Sequence, residues 1–237
     1  MQPDNHDLHT AGLCIWIALW SLFRPAHVPV TGKPDHTGID VFIRDRLPRL
    51  DEFINTVRNG DPDTLVGAYV PGLMALPILQ QPATDPTFVS EQPGAATQFR
   101  SAGQVDSTGL LAHNFLAGEF FSRLGQSQTI ILVYGDGRLE YFQVTQIQRY
   151  QALEPYNPYS YFVNPADPGR TLSSTDVFNQ TYGQGNVLVF QTCIQKEEQS
   201  SWGRLFVIAR PVSRQGATPH TSQLNPFEHT LAWNRAP

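Results

Sequence analysis

The chain has 237 residues, a formal net charge of −5, 41% hydrophobic residues, 18 Gly and 19 Pro. A chain of this length can bury one core of about 150 to 170 residues and carry an N-terminal extension. Frequent Gly and Pro exclude a helical bundle and favour short strands joined by turns, and the lack of any basic cluster excludes nucleic acid as a partner, because phosphate binding requires concentrated Lys and Arg.

An apolar run near the start of the chain, residues 11–23, raises the question of compartment. The run is too short to span a bilayer comfortably, and its length is typical of a signal-peptide core. Residues 1–10 contain two Asp and neither Lys nor Arg, which is the wrong charge for an ordinary export signal. We interpret residues 1–23 as a signal or membrane-targeting segment and predict an extracytoplasmic location, secreted or at the cell surface. The alternative is a buried or surface-adhering amphipathic segment.

Residues 24–64 are predicted to form a linker followed by an amphipathic helix. Apolar residues recur at spacings of three and four from Phe42 to Val57, a pattern typical of one helical face. Pro48 lies inside this pattern, so we expect either a break near Leu47 or a second helix that begins at Pro48. Gly60 should end the helix.

From Leu65 onward the pattern indicates strands, at residues 66–73, 75–79, 109–112, 129–134, 139–147, 186–193 and 204–212. These segments predict a mainly β fold, a closed barrel of seven to eight strands within residues 65–213, with short helices in loops and a flexible tail at residues 214–237. Residues 135–138, Gly-Asp-Gly-Arg, predict a hairpin turn. These glycines lack the spacing and the following helix of a nucleotide motif, so no cofactor is indicated.

The least regular part of this region is residues 155–184, for which we expect a long loop with one helical turn. Four prolines interrupt it, Pro155, Pro158, Pro165 and Pro168. The Ser and Thr residues of segment 171–176 offer N-caps for the helical turn.

A cysteine with two polar companions gives the chain its chemical interest. Cys193 ends the strand-like run Val-Leu-Val-Phe-Gln-Thr-Cys, and Arg204 opens the next one. The polar residues 195–203 between them suggest a surface loop, so the two runs are expected to form a hairpin with the thiol at its mouth. With His113 earlier in the chain, a thiol nucleophile, a proton-transfer group and a fixed cation are present. Taken singly, Cys193 could equally be a small buried hydrophobe and Arg204 a strand-edge charge.

These segments resemble the sortase family, the cysteine transpeptidases that attach surface proteins to Gram-positive-type cell envelopes. Residues 189–193, Val-Phe-Gln-Thr-Cys, resemble the family's Thr-Leu-x-Thr-Cys signature, and residues 111–114, Leu-Ala-His-Asn, resemble its histidine segment. Arg204 lies where the family's arginine follows on the next strand. Ala112 replaces the glycine that usually precedes the histidine, and Val189 and Phe190 replace the first Thr-Leu pair.

The resemblance implies a sortase-like barrel and acyl transfer to a peptide sorting signal. In this reading the Cys193 thiolate attacks a peptide carbonyl, His113 transfers protons, Arg204 stabilises the oxyanion, and an amine or water resolves the thioester. The same resemblance makes the connection before the cysteine strand a wall of the peptide groove. The candidate substrate-binding residues are Asn114, Thr192, Tyr159 and Tyr161.

Other interpretations of these residues are possible. One is a non-catalytic sortase-like module that binds peptide or envelope components. Independently of this, the tyrosines of residues 155–184 could only cover the barrel and take no part in a groove. An L,D-transpeptidase is disfavoured because Phe-Gln-Thr, residues 190–192, stands where a histidine-glycine pattern would be expected. A metal site is not indicated, because the seven histidines are scattered and Cys193 has no close partner at ligand spacing. Calcium, which some sortases use, is not assigned for lack of a carboxylate cluster.

Overall fold

The computed structural model describes residues 47–157 and 159–213. Three α-helices are present in these ranges: α1 (Leu50–Val57), α2 (Gly118–Ser122) and α3 (Ser174–Thr181), with a 3-10 helix at Arg100–Val105. The strands are β1 (Leu65–Val70), β2 (Met74–Gln80), β3 (Ala96–Phe99), β4 (Thr108–Leu111), β5 (Thr129–Tyr134), β6 (Leu139–Gln151), β7 (Phe162–Asn164), β8 (Asp167–Leu172), β9 (Leu188–Lys196) and β10 (Gln199–Pro211).

Eight of these strands close into a barrel in the order β1-β2-β3-β4-β9-β10-β6-β5. Two neighbouring pairs, β2 with β3 and β4 with β9, run parallel, and the other pairs run antiparallel. Closure leaves no free edge among the barrel strands, so their backbone groups pair with neighbours on both sides. The remaining two strands, β7 and β8, form a separate two-stranded sheet. The mainly β fold with a closed barrel and short helices, predicted from the sequence, is confirmed.

The barrel strands bury side chains on both faces in the region of the cysteine. One apolar cluster draws residues from all eight barrel strands, including Leu110 and Phe190, and fills the interior. A second cluster contains Leu111, Val189 and Phe206 and packs beneath α3 and β7. Because successive strand residues point to opposite faces, Leu110 and Leu111 belong to different clusters. We call the side of β4, β9 and β10 that carries this second cluster the outer face.

Helix α1 covers another part of the barrel. Phe53, with 3% of its surface exposed, packs with Tyr69 of β1, and their ring centroids lie 5.8 Å apart. The prediction that a helix could begin at Pro48 is wrong, because Pro48 precedes the N-cap residue, Arg49, and the helix begins at Leu50. The Arg49 backbone N–H donates to the Glu52 carboxylate at 3.0 Å, which satisfies one of the groups that the helix start leaves open. The helix ends at Val57, before Gly60 as expected.

Two local predictions are confirmed. Residues 135–138 turn the chain between β5 and β6, where the Tyr134 N–H donates to the Arg138 carbonyl at 2.9 Å and Gly137 has a φ of +94°. Ser173 caps α3, and its hydroxyl accepts from the Asp176 N–H at 3.1 Å. The expected targeting segment, residues 1–23, the first turns of the predicted helix and the tail, residues 214–237, lie outside the described residues.

Other boundaries differ from the expectation. The connection predicted as a long loop with one turn contains β7, β8 and the eight-residue helix α3. Most of β8 is exposed, so no alternation of apolar residues marks it in the sequence. The short strand β3 also escaped prediction, and β6 extends to Gln151.

The hairpin that carries Cys193 is longer than predicted. Strand β9 continues to Lys196 and β10 begins at Gln199, so residues 195–203 are mostly strand and not a surface loop. Cys193 therefore lies within a strand, not at the mouth of the hairpin. Backbone pairing explains the difference, because ladder hydrogen bonds hold polar residues in a strand as well as apolar ones.

Gly109 in β4 offers a test of how closely the second apolar cluster packs. A Cβ atom there would lie 2.9 Å from both Phe99 Cβ and Tyr182 Cε1, and 3.1 Å from Ala102 Cβ. We expect Gly109→Ala to lower the free energy of unfolding by about 1 to 3 kcal/mol, because the neighbours must shift to admit the methyl group. Urea denaturation measures this change. Gly103→Ala is the control, since no heavy atom lies within 4 Å of its Cβ position; equal losses in the two variants would contradict the packing.

Candidate functional site

The parallel pairing of β4 with β9 brings the histidine segment beside the cysteine. Leu111 is the register partner of Gln191, and the Ala112 N–H donates to the Gln191 carbonyl at 3.3 Å. His113 follows two residues after Leu111, and Cys193 follows two residues after Gln191. Both residues therefore lie beyond the last β4–β9 pair, at the same end of the barrel. Neighbouring strands lie about 4.8 Å apart, so the two backbones are close at this end.

The antiparallel pairing of β9 with β10 adds the arginine. Cys193 and Arg204 are direct register partners, and each has only 6% of its surface exposed. Side chains of directly opposite residues project from the same face with Cβ atoms about 4.5 to 5.5 Å apart. Alternation along the strands puts both on the outer face, with Val189 and Phe206. A buried guanidinium is therefore the cross-strand neighbour of a buried thiol.

The state of the Cys193 thiol follows from two opposed effects. Burial raises its pKa above the ordinary value, because a thiolate loses hydration in an apolar setting. The Arg204 charge and a hydrogen bond from Ser201 act in the opposite direction, and burial is the largest of the three effects. Cys193 is also a free thiol with no disulfide partner. The net direction favours the protonated thiol over the thiolate.

Three backbone carbonyls hold the Arg204 side chain. Its Nη1 donates to the Ser201 and Gly203 carbonyls, each at 3.0 Å, and its Nη2 donates to the Pro155 carbonyl at 3.2 Å. These bonds use three of the five N–H groups of a guanidinium. The bond to Pro155 ties the connection after β6 to the strand that carries Arg204. The charge is thus fixed in place before any ligand arrives.

His113 is half-buried at the edge of this face. Burial lowers its pKa below the ordinary value, while the Glu91 carboxylate and a hydrogen bond with the Val89 carbonyl act to raise it. The ring stacks on Phe115, with centroids 5.3 Å apart and an interplanar angle of 24°. Its carbonyl accepts from the Leu116 N–H at 2.9 Å and so orders the turn that leads into α2.

Asn114 and Thr192, predicted to contact substrate, both make contacts between strands. Thr192 has 1% of its surface exposed, and its hydroxyl donates to the Ala112 carbonyl at 2.9 Å. Asn114 Nδ2 donates to the Ser200 carbonyl at 3.0 Å and so joins the histidine segment to β10. These bonds position His113 relative to β9 and β10. A contact of either residue with substrate stays a prediction.

Tyr159 and Tyr161 belong to the connection whose Pro155 carbonyl binds Arg204. Each is 56% exposed, and Phe115, which stacks on His113, is 67% exposed. Together with Leu153 and Tyr156 they make five exposed large apolar side chains in the two described segments that reach the site. Exposed apolar side chains in segments that contact a site are candidates for ligand contact.

Residues that the sequence did not reveal also take part. Gly118 starts α2, where a Cβ atom would lie 2.6 Å from the His113 carbonyl and still closer to the Thr192 hydroxyl. Glu91 and Ser201 face His113 and Cys193 respectively. Neither stands in a motif, and only the folded chain brings them to the site. The one sequence signal near them is the polar stretch before Arg204, whose composition predicts a loop.

Within residues 47–157 and 159–213, no group of three or more His, Cys, Asp or Glu side chains is arranged to hold a metal ion. None of the helices in the described part of the chain is long and apolar enough to cross a membrane.

No family model and no curated protein matches the sequence. Among solved structures, sortase C from Clostridium perfringens SM101 shares 11% identity over 77% of this chain and 93% of its own, with a TM-score of 0.38. Sortase C-1 from Actinomyces oris shares 12% identity over 74% and 95%, with a TM-score of 0.41. Listeria monocytogenes sortase A shares 15% identity over 64% and 89%, with a TM-score of 0.38. The chain is thus similar to sortases in fold, and a shared fold does not by itself establish an activity.

Proposed function

We propose that this protein is a cysteine transpeptidase or peptidase of sortase type, which cleaves a peptide sorting signal and transfers it to an amine or to water. The observation that supports the proposal best is the cross-strand pair of Cys193 and Arg204, both buried, with His113 at the end of the neighbouring parallel strand. A thiol, a fixed cation and a titratable imidazole in this arrangement suit acyl transfer.

The proposed reaction has two balanced steps. In the first, Cys193 Sγ bonds to the peptide carbonyl carbon, the C–N bond breaks, and the leaving amine takes a proton from the His113 imidazolium. In the second, an amine or water attacks the thioester carbon, its proton passes to His113, and the Cys193 thiolate leaves. Arg204 is the natural partner for the oxyanion in both steps, because its guanidinium stays charged and is already held in place.

The pKa directions indicate which protonation state is the more populated one. Burial raises the pKa of Cys193 and lowers that of His113, so thiol and imidazole are both neutral in most molecules near pH 7. The reactive form, thiolate with imidazolium, is then a minor population. Substrate binding that brings further charge or excludes water would change this balance, and Arg204 already favours the thiolate.

The exposed aromatic residues suggest what kind of peptide fits. Phe115 extends from the histidine segment, and Tyr159 and Tyr161 extend from the connection bound to Arg204. An extended peptide with apolar side chains could contact both groups while its carbonyl lies near Cys193.

We also propose an extracytoplasmic location, with residues 11–23 as the segment that associates with the membrane.

A second candidate is a non-catalytic module that binds peptide or envelope components. The observation in its favour is that Cys193 is 6% exposed and that burial dominates its pKa. An inert buried thiol would show both properties. The two candidates differ in whether a covalent adduct ever forms at Cys193.

A covalent trap separates the two candidates. The protein is incubated with a randomised peptide library and hydroxylamine, and mass spectrometry follows peptide hydroxamates and acyl adducts on Cys193. A transpeptidase or peptidase gives both products, and Cys193→Ala gives neither. Binding of library peptides without adduct or hydroxamate would favour the non-catalytic module.

Arg204 variants test the role of the guanidinium. We expect Arg204→Ala to reduce hydroxamate formation by roughly a hundredfold or more, because one positioned oxyanion donor is worth about 3 kcal/mol. Arg204→Lys should not restore the rate, since an ammonium lacks the planar fork that reaches three carbonyls. Thermal unfolding of both variants controls for loss of the fold. A folded lysine variant with the parent rate would contradict this role.

The pH dependence of alkylation tests the charges around the thiol. Iodoacetamide reacts with the thiolate, so we expect the rate at Cys193 to rise with a midpoint above the ordinary value of about 8.5, the direction that burial imposes. Arg204→Ala should move the midpoint higher, because the cation that favours the thiolate is lost. His113→Ala is the control, because an imidazole with a lowered pKa is neutral in that pH range. A midpoint below the ordinary value in the parent would contradict these directions.

A further inference from the structure

Strand β10 contains a bulge next to the cysteine, opposite residues 194–196 of β9. Gln199 pairs with Lys196 and Gly203 pairs with Ile194, so four steps along β10 span two steps along β9. The extra residues lie between Gln199 and Gly203, in the segment 200–202. Bulges of this kind bend a strand and redirect side chains, and they are frequent beside active sites.

The bulge contacts the histidine segment, β9, Arg204 and the connection after β6. The Ser200 carbonyl accepts from Asn114 Nδ2 at 3.0 Å, and the Trp202 carbonyl accepts from the Ala152 N–H at 3.0 Å. Ser201 lies between them and makes two contacts. Its carbonyl accepts from Arg204 Nη1 at 3.0 Å, and its hydroxyl donates to Cys193 Sγ at 3.6 Å. One residue therefore touches both the thiol and the arginine.

We propose that Ser201 is a positioning residue for the nucleophile, whose hydroxyl orients the Cys193 sulfur and stabilises its thiolate while its carbonyl holds Arg204. This inference rests on the proposed role of Cys193. The hydroxyl keeps its own proton throughout and acts only as a hydrogen-bond donor, so the acyl-transfer steps are unchanged. Its effect is greatest on the charged sulfur, because a hydrogen bond to a charged acceptor is stronger than one to a neutral group.

The physical need for such a donor follows from the site itself. Cys193 is buried, and burial opposes ionisation of the thiol. Arg204 provides a charge but donates to three carbonyls. A hydroxyl aimed at the sulfur replaces part of the hydration that the thiolate has lost, and the bulge is what brings Ser201, three residues before Arg204, back to the sulfur.

The test is the pH dependence of iodoacetamide reaction at Cys193 in the full chain, read by mass spectrometry of the Cys193 peptide so that Cys14 does not contribute. We expect Ser201→Ala to raise the midpoint so that the thiolate at a fixed pH below it falls about three- to tenfold. Alanine keeps the carbonyl that binds Arg204, so the change isolates the hydroxyl. Ser200→Ala is the matched control in the same bulge, because its contribution is a carbonyl that alanine retains, and its midpoint should equal the parent's.

A second pair of variants guards against loss of the fold. Ser201→Thr keeps a hydroxyl and Ser201→Val replaces it with a methyl group of the same shape, so only the valine variant should raise the midpoint. A change in the plateau rate alone would indicate altered access to the sulfur and would overturn the proposal, as would identical midpoints in all four variants. The measurement needs no peptide substrate. If the hydroxylamine trap finds no adduct but the midpoint moves, the proposed function fails and the contact between Ser201 and the sulfur stands.

Discussion

The site depends on the pairing of β9 with two neighbours of opposite direction. On one side β9 runs parallel to β4, and on the other it runs antiparallel to β10. The first pairing brings the residues after Leu111 level with the end of the apolar part of β9, and the second sets Arg204 directly opposite Cys193. A one-residue slip of β9 against β10 would turn the thiol towards the opposite face of the barrel from the arginine. Both faces of β9 are buried, so packing strongly determines its register and with it the position of Cys193 relative to Arg204.

Burial fixes the geometry around Cys193 and also opposes ionisation of its thiol. The residues that fix the register fill the barrel interior and the outer face, and the same packing leaves Cys193 with little hydration. Within this apolar setting the polar groups are few and each has a defined partner: Arg204 with three carbonyls, Thr192 with the Ala112 carbonyl, and Ser201 with the Cys193 sulfur. Buried polar groups that are bonded in this way cost less than unpaired ones and resist displacement. The arrangement therefore favours a fixed geometry over a permanently ionised thiol.

Some elements and site residues could be predicted from the sequence, and others could not. Strand β5 and the turn at residues 135–138 could be predicted because apolar β-branched residues and glycine carry strong local signals. The companions of Cys193 could be proposed from motif and order, since His113 and Arg204 stand in recognisable segments. Ser201 and Glu91 could not, because their relation to Cys193 and His113 exists only after distant strands pair. The polar composition of residues 195–203 also predicted a loop where strand pairing prevails, and that error concealed the bulge.

The bulge allows Arg204 to pair with Cys193 while the Ser201 hydroxyl also reaches the Cys193 sulfur. A regular hairpin could not provide both contacts. In an unbroken antiparallel ladder each residue of β10 would pair with one residue of β9. Ser201, three residues before Arg204, would then lie opposite a position three residues beyond Cys193. The extra residues at 200–202 bring the chain back towards Cys193, so that the Ser201 hydroxyl reaches the sulfur. Three successive carbonyls of this stretch accept hydrogen bonds from Asn114, Arg204 and Ala152. The histidine segment, the arginine and the connection after β6 are thereby tied to one short stretch of backbone. A displacement of that stretch would move the Ser201 hydroxyl and the carbonyl that supports the Arg204 guanidinium together, so the surroundings of the thiol and of the guanidinium depend on the same bulge.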